Sequence, residues 1–76
     1  TYEMSAVALI ESTLRPGDVF VDVGAHAGYY TLMCARRAKK VIAFEPNPYN
    51  YKFLRFNIFL NGLKNVTAVR NKEEEA

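Results

Sequence analysis

Apolar positions along the chain change their period several times, and each change marks an element. From Glu3 to Leu14, Met4, Val7, Ile10 and Leu14 recur three or four residues apart, which predicts an amphipathic helix. Pro16-Gly17 ends it, because the proline pushes Arg15 out of helical geometry and the pair suits a tight turn. Val19, Phe20, Val21 and Val23 are β-branched or aromatic and nearly continuous, the pattern of a strand covered on both faces. A loop from Gly24 to Gly28 follows, and Tyr29 to Ala38 reads as a helix with apolar residues on more than one side. Val41 to Phe44 is a second short strand, closed by Glu45-Pro46.

Asn47 before Pro48 has the form of a helix start, with a side-chain acceptor at the N-cap and proline at the first helical position. That helix should run to about Asn61. Tyr51, Leu54 and Ile58 form one apolar stripe and Tyr49, Phe53, Phe56 and Leu60 another, so it is expected to bury a wide face, with its aromatics as packing rather than a ligand box. Gly62 suits a left-handed C-terminal cap, Asn65 to Arg70 alternates like a third strand, and residues 71–76 read as a loose polar tail.

The order is therefore a helix and then β-α-β-α-β, with connections too long for hairpins. This predicts an α/β, partial Rossmann-like fold: three parallel strands in the order 3-2-1, right-handed crossovers, and both connecting helices on one face. On this reading residues 1–76 are a single partial domain. Strand one, usually central in a doubly wound sheet, keeps an open edge, through which the chain is expected to self-associate, as a fragment or truncated product would.

Bulk properties narrow the class. A chain of 76 residues is one small domain, and at this size only about 60% of the unfolded surface is buried. Half the residues are hydrophobic and 24% charged, which fits a globular core. The formal net charge of +2 gives composition no case for a nucleic-acid or membrane-surface partner, and Arg36, Arg37, Lys39 and Lys40 are taken as a solvated helix end. Cys34, the single cysteine, has no partner for a disulfide or metal site and reads as a core residue in a reducing compartment. With no membrane-length apolar run and no signal-like N-terminus, cytoplasm is the expectation.

The candidate chemistry lies in the turn after strand one, Val21-Asp22-Val23-Gly24-Ala25-His26-Ala27-Gly28-Tyr29-Tyr30. A strand that stops at a glycine loop and turns into a helix aims backbone N–H groups at one spot, where doubly wound proteins hold nucleotide-like ligands. A dinucleotide fingerprint aligned on Gly24 fails at Asp22, whose carboxylate would repel a pyrophosphate. A cationic, hydroxyl-bearing ligand without phosphate is better suited, and S-adenosylmethionine meets that description. Gly24 and Gly28 allow close approach. Glu45, 23 residues after Asp22 at the end of strand two, is placed to receive two ribose hydroxyls.

These phrases, with Tyr2-Glu3, Arg15-Pro16-Gly17-Asp18, Ala43-Phe44-Glu45-Pro46-Asn47-Pro48, and Asn57 through Asn61-Gly62-Leu63-Lys64-Asn65-Val66, carry a resemblance over nearly the whole chain. It resembles the N-terminal half of a class I S-adenosylmethionine-dependent methyltransferase, most closely of the FkbM type. The resemblance implies that Asp22, Gly24, Ala25, His26 and Gly28 contact the methionine part of the cofactor and that Glu45 holds the ribose. It also implies O-methylation of a small molecule or sugar hydroxyl, with the acceptor pocket and any general base in sequence beyond these residues. No catalytic residue and no metal site is assigned.

Simpler roles stand beside these: Asp22 as a helix-capping acid, Gly28 as a helix–sheet packing site, Glu45 as a surface acid, His26 as a loop residue bonded to backbone, and Tyr29 and Tyr30 as half-buried packing residues, the alternative for Tyr29 being the edge of the pocket. Three functional readings follow: a methyltransferase cofactor half inactive alone, a nucleotide-binding module, and a non-catalytic remnant.

Overall fold

Val41 and Ala43 alternate along one strand and are fully buried, which sets the plane on which the molecule is built. In the computed structural model, which describes residues 6–70, the elements are α1 (Ala6–Thr13), β1 (Val19–Val23), α2 (Tyr29–Ala35), β2 (Lys40–Phe44), α3 (Pro48–Leu60) and β3 (Val66–Val69). The three strands form one parallel sheet in the order β1-β2-β3. Register aligns Phe20, Val41 and Val66 in one row and Asp22, Ala43 and Ala68 in the next. The fold class, strand order and N-cap are those the sequence predicts. Asn47 Oδ1 accepts from the N–H groups of Tyr49 (2.9 Å) and Asn50 (3.1 Å). The expected start of the first helix at Glu3 and the polar tail at 71–76 lie outside the described residues.

One face of this sheet carries the helices. Cys34, Ala35, Ala38 and Val41 form a buried cluster joined by Ile10, Leu14, Phe20 and Val66, and Ala25, Ala43 and Leu54 form a second joined by Ile58 and Ala68. Small side chains at 34, 35, 38 and 43 let helix and sheet backbones approach closely, so shape more than bulk does the packing. Cys34 is fully buried, as expected of a core residue. Burial raises its thiol pKa above the ordinary value, with the nearby Asp22 carboxylate adding to the shift.

Four expectations need correction. The first strand is not covered on both faces: Val19, Val21 and Val23 are 55%, 51% and 79% exposed. Consecutive right-handed crossovers stepping in one direction put their helices on the same side, and no described helix covers the other. The second concerns α3, where Leu54 is buried and Tyr51 and Ile58 are half-buried, but Tyr49, Phe53, Phe56 and Leu60 face solvent. Third, Tyr29 is 68% exposed rather than half-buried, its ring meeting Tyr30 edge-on at 5.2 Å. Fourth, α2 stops at Ala35 instead of Ala38. The N–H groups of Arg37 (3.0 Å) and Ala38 (2.8 Å) both turn onto the Cys34 carbonyl, and Asn65 Nδ2 donates to the carbonyls of Ala35 (2.8 Å) and Ala38 (3.1 Å). A side chain from beyond α3 thus takes carbonyls that a longer helix would have used.

The raised Cys34 thiol generates a prediction. Because the unfolded chain releases this proton at lower pH than the native one, the contribution is fully present below the ordinary thiol pKa and is lost as pH rises through the raised native value. Urea melts at increasing alkaline pH should show falling stability with a smaller slope in Cys34→Ala. A thiol reagent should label the native protein only at the rate of unfolding.

Candidate functional site

The ends of β1 and β2 lie side by side, and the backbone joins the loops that leave them. The N–H groups of Gly24 (2.8 Å) and Ala25 (3.0 Å) both donate to the Phe44 carbonyl, so the turn after β1 is anchored to the last residue of β2. Glu45 follows immediately, and its own N–H donates to the Val69 carbonyl at 2.9 Å. Its carboxylate turns back toward the first loop: Oε1 accepts from the His26 N–H at 2.5 Å and Oε2 from the Asn47 N–H at 3.0 Å. Glu45 is only 3% exposed. The surface-acid reading is therefore excluded, and Glu45 is a buried carboxylate tying the glycine loop to the start of α3.

Asp22 occupies the helix-bearing face of β1 and is half-buried. The Thr31 hydroxyl, fully buried on α2, donates to its Oδ2 at 2.7 Å. Asp22 does not cap α2. The residue before that helix is Gly28, at φ 103° and ψ 23°, with no side-chain cap. A carboxylate offers about four lone-pair sites, so neither the single hydroxyl on Asp22 nor the two N–H groups on Glu45 exhaust those acids.

The loop between them is locally unusual. Gly24 (φ 72°) and Gly28 are left-handed, and His26 adopts φ 56°, where a side chain costs about 1–2 kcal/mol. The Glu45 carboxylate holds His26 there through the backbone N–H, a different contact from the imidazole-to-backbone bond expected of a lone histidine. Nothing lies within 4 Å of the position a Cβ would take at Gly24, so the backbone there is open to approach. Gly28 is different, because a Cβ there would lie 2.8 Å from Leu54 Cδ1 in the core. Its packing role is a real one, and it sets how closely the loop sits on α3. Asn57, on α3, reinforces this by donating from Nδ2 to the Ala27 carbonyl at 2.7 Å.

Asp22, Gly24, Ala25, His26, Gly28 and Glu45 thus meet around one strand-end crevice, with Ala25 and Gly28 buried and His26 exposed. Thr31 and Asn57 belong to the same assembly as positioning residues. A hydroxyl at the third position of a helix following a strand-end acid was a readable sign of Thr31. Asn57, 30 residues from its partner, had no local sign.

The chain matches the family model of the TRM5/TYW2 methyltransferase domain over residues 4–76. It is 34% identical over 61 residues to the tRNA (guanine(37)-N(1))-methyltransferase Trm5b of Pyrococcus abyssi, covering 80% of this chain and 18% of that protein. The crystal structure of that Trm5b superposes with a TM-score of 0.81 at 28% identity, over 92% of this chain and 21% of the other. It is 35% identical over 74 residues to a probable cobalt-precorrin-6B C(15)-methyltransferase of Halobacterium salinarum, covering 97% of this chain and 40% of the relative. The chain spans less than half the length of each. The expectation of no nucleic-acid partner is overturned, because several relatives are tRNA or rRNA methyltransferases. Neither the FkbM type nor small-molecule O-methylation finds support among these proteins. No helix among the described residues is long and apolar enough to cross a membrane.

Two substitutions test the loop. Gly28→Ala should destabilise by about 1–3 kcal/mol, from backbone strain and displacement of Leu54, measured by chemical denaturation. His26→Gly should range from neutral to about 1 kcal/mol more stable, whereas His26→Val should lose about 1–2 kcal/mol, because a β-branched residue disfavours positive φ. Equal melts for the two His26 variants would show that the backbone conformation carries no cost.

Proposed function

We infer that this chain, which belongs to the TRM5/TYW2 methyltransferase domain family and so to the class I S-adenosylmethionine-dependent methyltransferases, supplies the cofactor site of an enzyme that methylates RNA. The observation carrying the cofactor reading is the crevice itself: two carboxylates, Asp22 and Glu45, flank a loop with open space at Gly24. The donor set fits a ligand that is cationic at one end and a diol at the other. S-adenosylmethionine, when bound, supplies a methyl group on a sulfonium.

Each residue then has a definite task. Gly24 and Ala25 line the backbone turn against which the amino-acid end packs, with Asp22 below it as the fixed negative charge. Thr31 holds the Asp22 carboxylate in one orientation. Glu45 accepts ribose hydroxyls on the lone pairs its two backbone partners leave, while those partners fix its rotamer. Such positioning matters because methyl transfer depends on holding donor and acceptor in line. His26, the exposed residue of the loop, stands at the rim.

RNA as acceptor is supported by the tRNA and rRNA methyltransferases among the relatives and by the distribution of charge. Eight of the ten Lys and Arg residues fall between Gly24 and Arg70, and all eight are exposed. The one carboxylate in that stretch, Glu45, is buried. Exposed cations such as Lys52 and Arg55 attract a polyanion. A second reading, methylation of a small macrocyclic acceptor, is favoured by the cobalt-precorrin relative, whose match covers 97% of the chain.

Incubating the intact protein with methyl-tritiated S-adenosylmethionine and either total RNA or a small-molecule extract separates these readings. Ribonuclease-sensitive label is the expected result, and label confined to the small-molecule fraction would establish the second reading instead. S-adenosylhomocysteine should bind and NAD should not, and Glu45→Gln should weaken that binding tenfold or more. Binding of NAD alone would remove both methyltransferase readings.

A further inference from the structure

The outward face of α3 carries what neither the core nor the cofactor crevice uses. Tyr49, Phe53, Phe56 and Leu60 follow one another at intervals of four, three and four residues, forming a single stripe along the helix. They are 74%, 60%, 55% and 61% exposed. Soluble chains rarely leave so continuous an apolar stripe in water unless something docks on it. Lys52 is three residues from Tyr49 and four from Phe56, and so stands beside the stripe. Arg55, also exposed, stands on the flank between this stripe and the covered one, its guanidinium 5.9 Å from the Tyr51 ring. α3 contains no acidic residue.

We propose that this face of α3 is a docking surface for unpaired RNA, on which Tyr49, Phe53 and Phe56 stack bases while Lys52 and Arg55 meet phosphates. The proposal rests on the RNA-methyltransferase reading and adds where the acceptor strand lies. Aromatic rings interleaved with cations are what single-stranded nucleic acid requires, since every base offers a π-face and every linkage a negative charge. Charge argues against a second copy as the occupant, because α3 packed on α3 would bring Lys52 and Arg55 against their own kind with no carboxylate to offset them.

The placement also suits delivery. Tyr49 N–H bonds Asn47, and Asn47 N–H bonds Glu45, so the aromatic stripe begins at the rim of the cofactor crevice. From Tyr49 to Leu60 it extends about 16 Å along the helix. A strand stacked along it has one end at the mouth of the site.

The test uses the intact protein with a single-stranded RNA oligonucleotide carrying photoreactive 5-bromouridine, and a duplex of the same sequence for comparison. Cross-links should map to the peptide spanning residues 47–61. Phe53→Ala with Phe56→Ala should lower single-strand affinity tenfold or more, as expected for lost base stacking. Lys52→Glu with Arg55→Glu should lower it comparably and flatten its salt dependence. S-adenosylhomocysteine affinity should be unchanged in both, because these side chains face away from the crevice.

Methylation of RNA at wild-type rate and affinity by both variants would overturn the docking surface while leaving the RNA-methyltransferase reading intact. Loss of RNA labelling in the wild type would count against both. A dimer abolished by the Phe53/Phe56 variant with RNA affinity unchanged would assign the face to a protein contact and overturn the proposal.

Discussion

A single buried carboxylate, that of Glu45, holds together the two loops on which the crevice depends. One oxygen takes the N–H of His26 from the turn after β1, and the other takes the N–H of Asn47 at the head of α3. The Glu45 side chain is only 3% exposed, and a carboxylate so buried needs hydrogen-bond donors to offset its desolvation. The two loops supply one N–H each, so satisfying the acid and joining the loops are the same contact. The left-handed backbone of His26, the close seating of Gly28 on Leu54 and the Asn57 bond to Ala27 all belong to a loop fixed at this point.

The same economy explains why the sheet can be thin. With all the described helices on one face, Val41 and Ala43 are fully buried while the valines of β1 look outward on the other. Packing on the covered side relies on Cys34, Ala35, Ala38 and Ala43, residues too small to supply much apolar burial individually. What they supply instead is proximity, which brings α2 near enough for Thr31 to reach Asp22 and for Asn65 to reach the end of α2. Polar contacts at such short range give the core its register.

Most of the fold was legible in the sequence because its signals are local: the Pro16-Gly17 break, the Asn47-Pro48 cap, and the Gly62 exit, where the N–H of Leu63 closes on the Ile58 carbonyl. The crevice was legible as a set of residues, since Asp22 and Glu45 close adjacent parallel strands. Its internal wiring was not, because Glu45 meets His26 across 19 residues and Asn57 meets Ala27 across 30. Periodicity also shows that α3 has two apolar stripes without showing which one the sheet covers. Net charge misled most. A total of +2 averages a basic stretch from Gly24 to Arg70 with acids concentrated elsewhere, at Glu3, Glu11, Asp18, Asp22 and the run Glu73 to Glu75. A net charge sums the whole chain and says nothing about where its charges lie.

The hydrogen bond that Asn57 Nδ2 donates to the Ala27 carbonyl also bears on the order in which the molecule assembles. During synthesis from the N-terminus, the glycine loop leaves the ribosome well before Glu45 and Asn57. Until those residues arrive, the turn has neither its carboxylate nor its amide partner, and α2 waits longer still for Asn65 to close its final carbonyls. The glycine loop therefore gains the hydrogen bonds that fix it only once the second βα unit has docked.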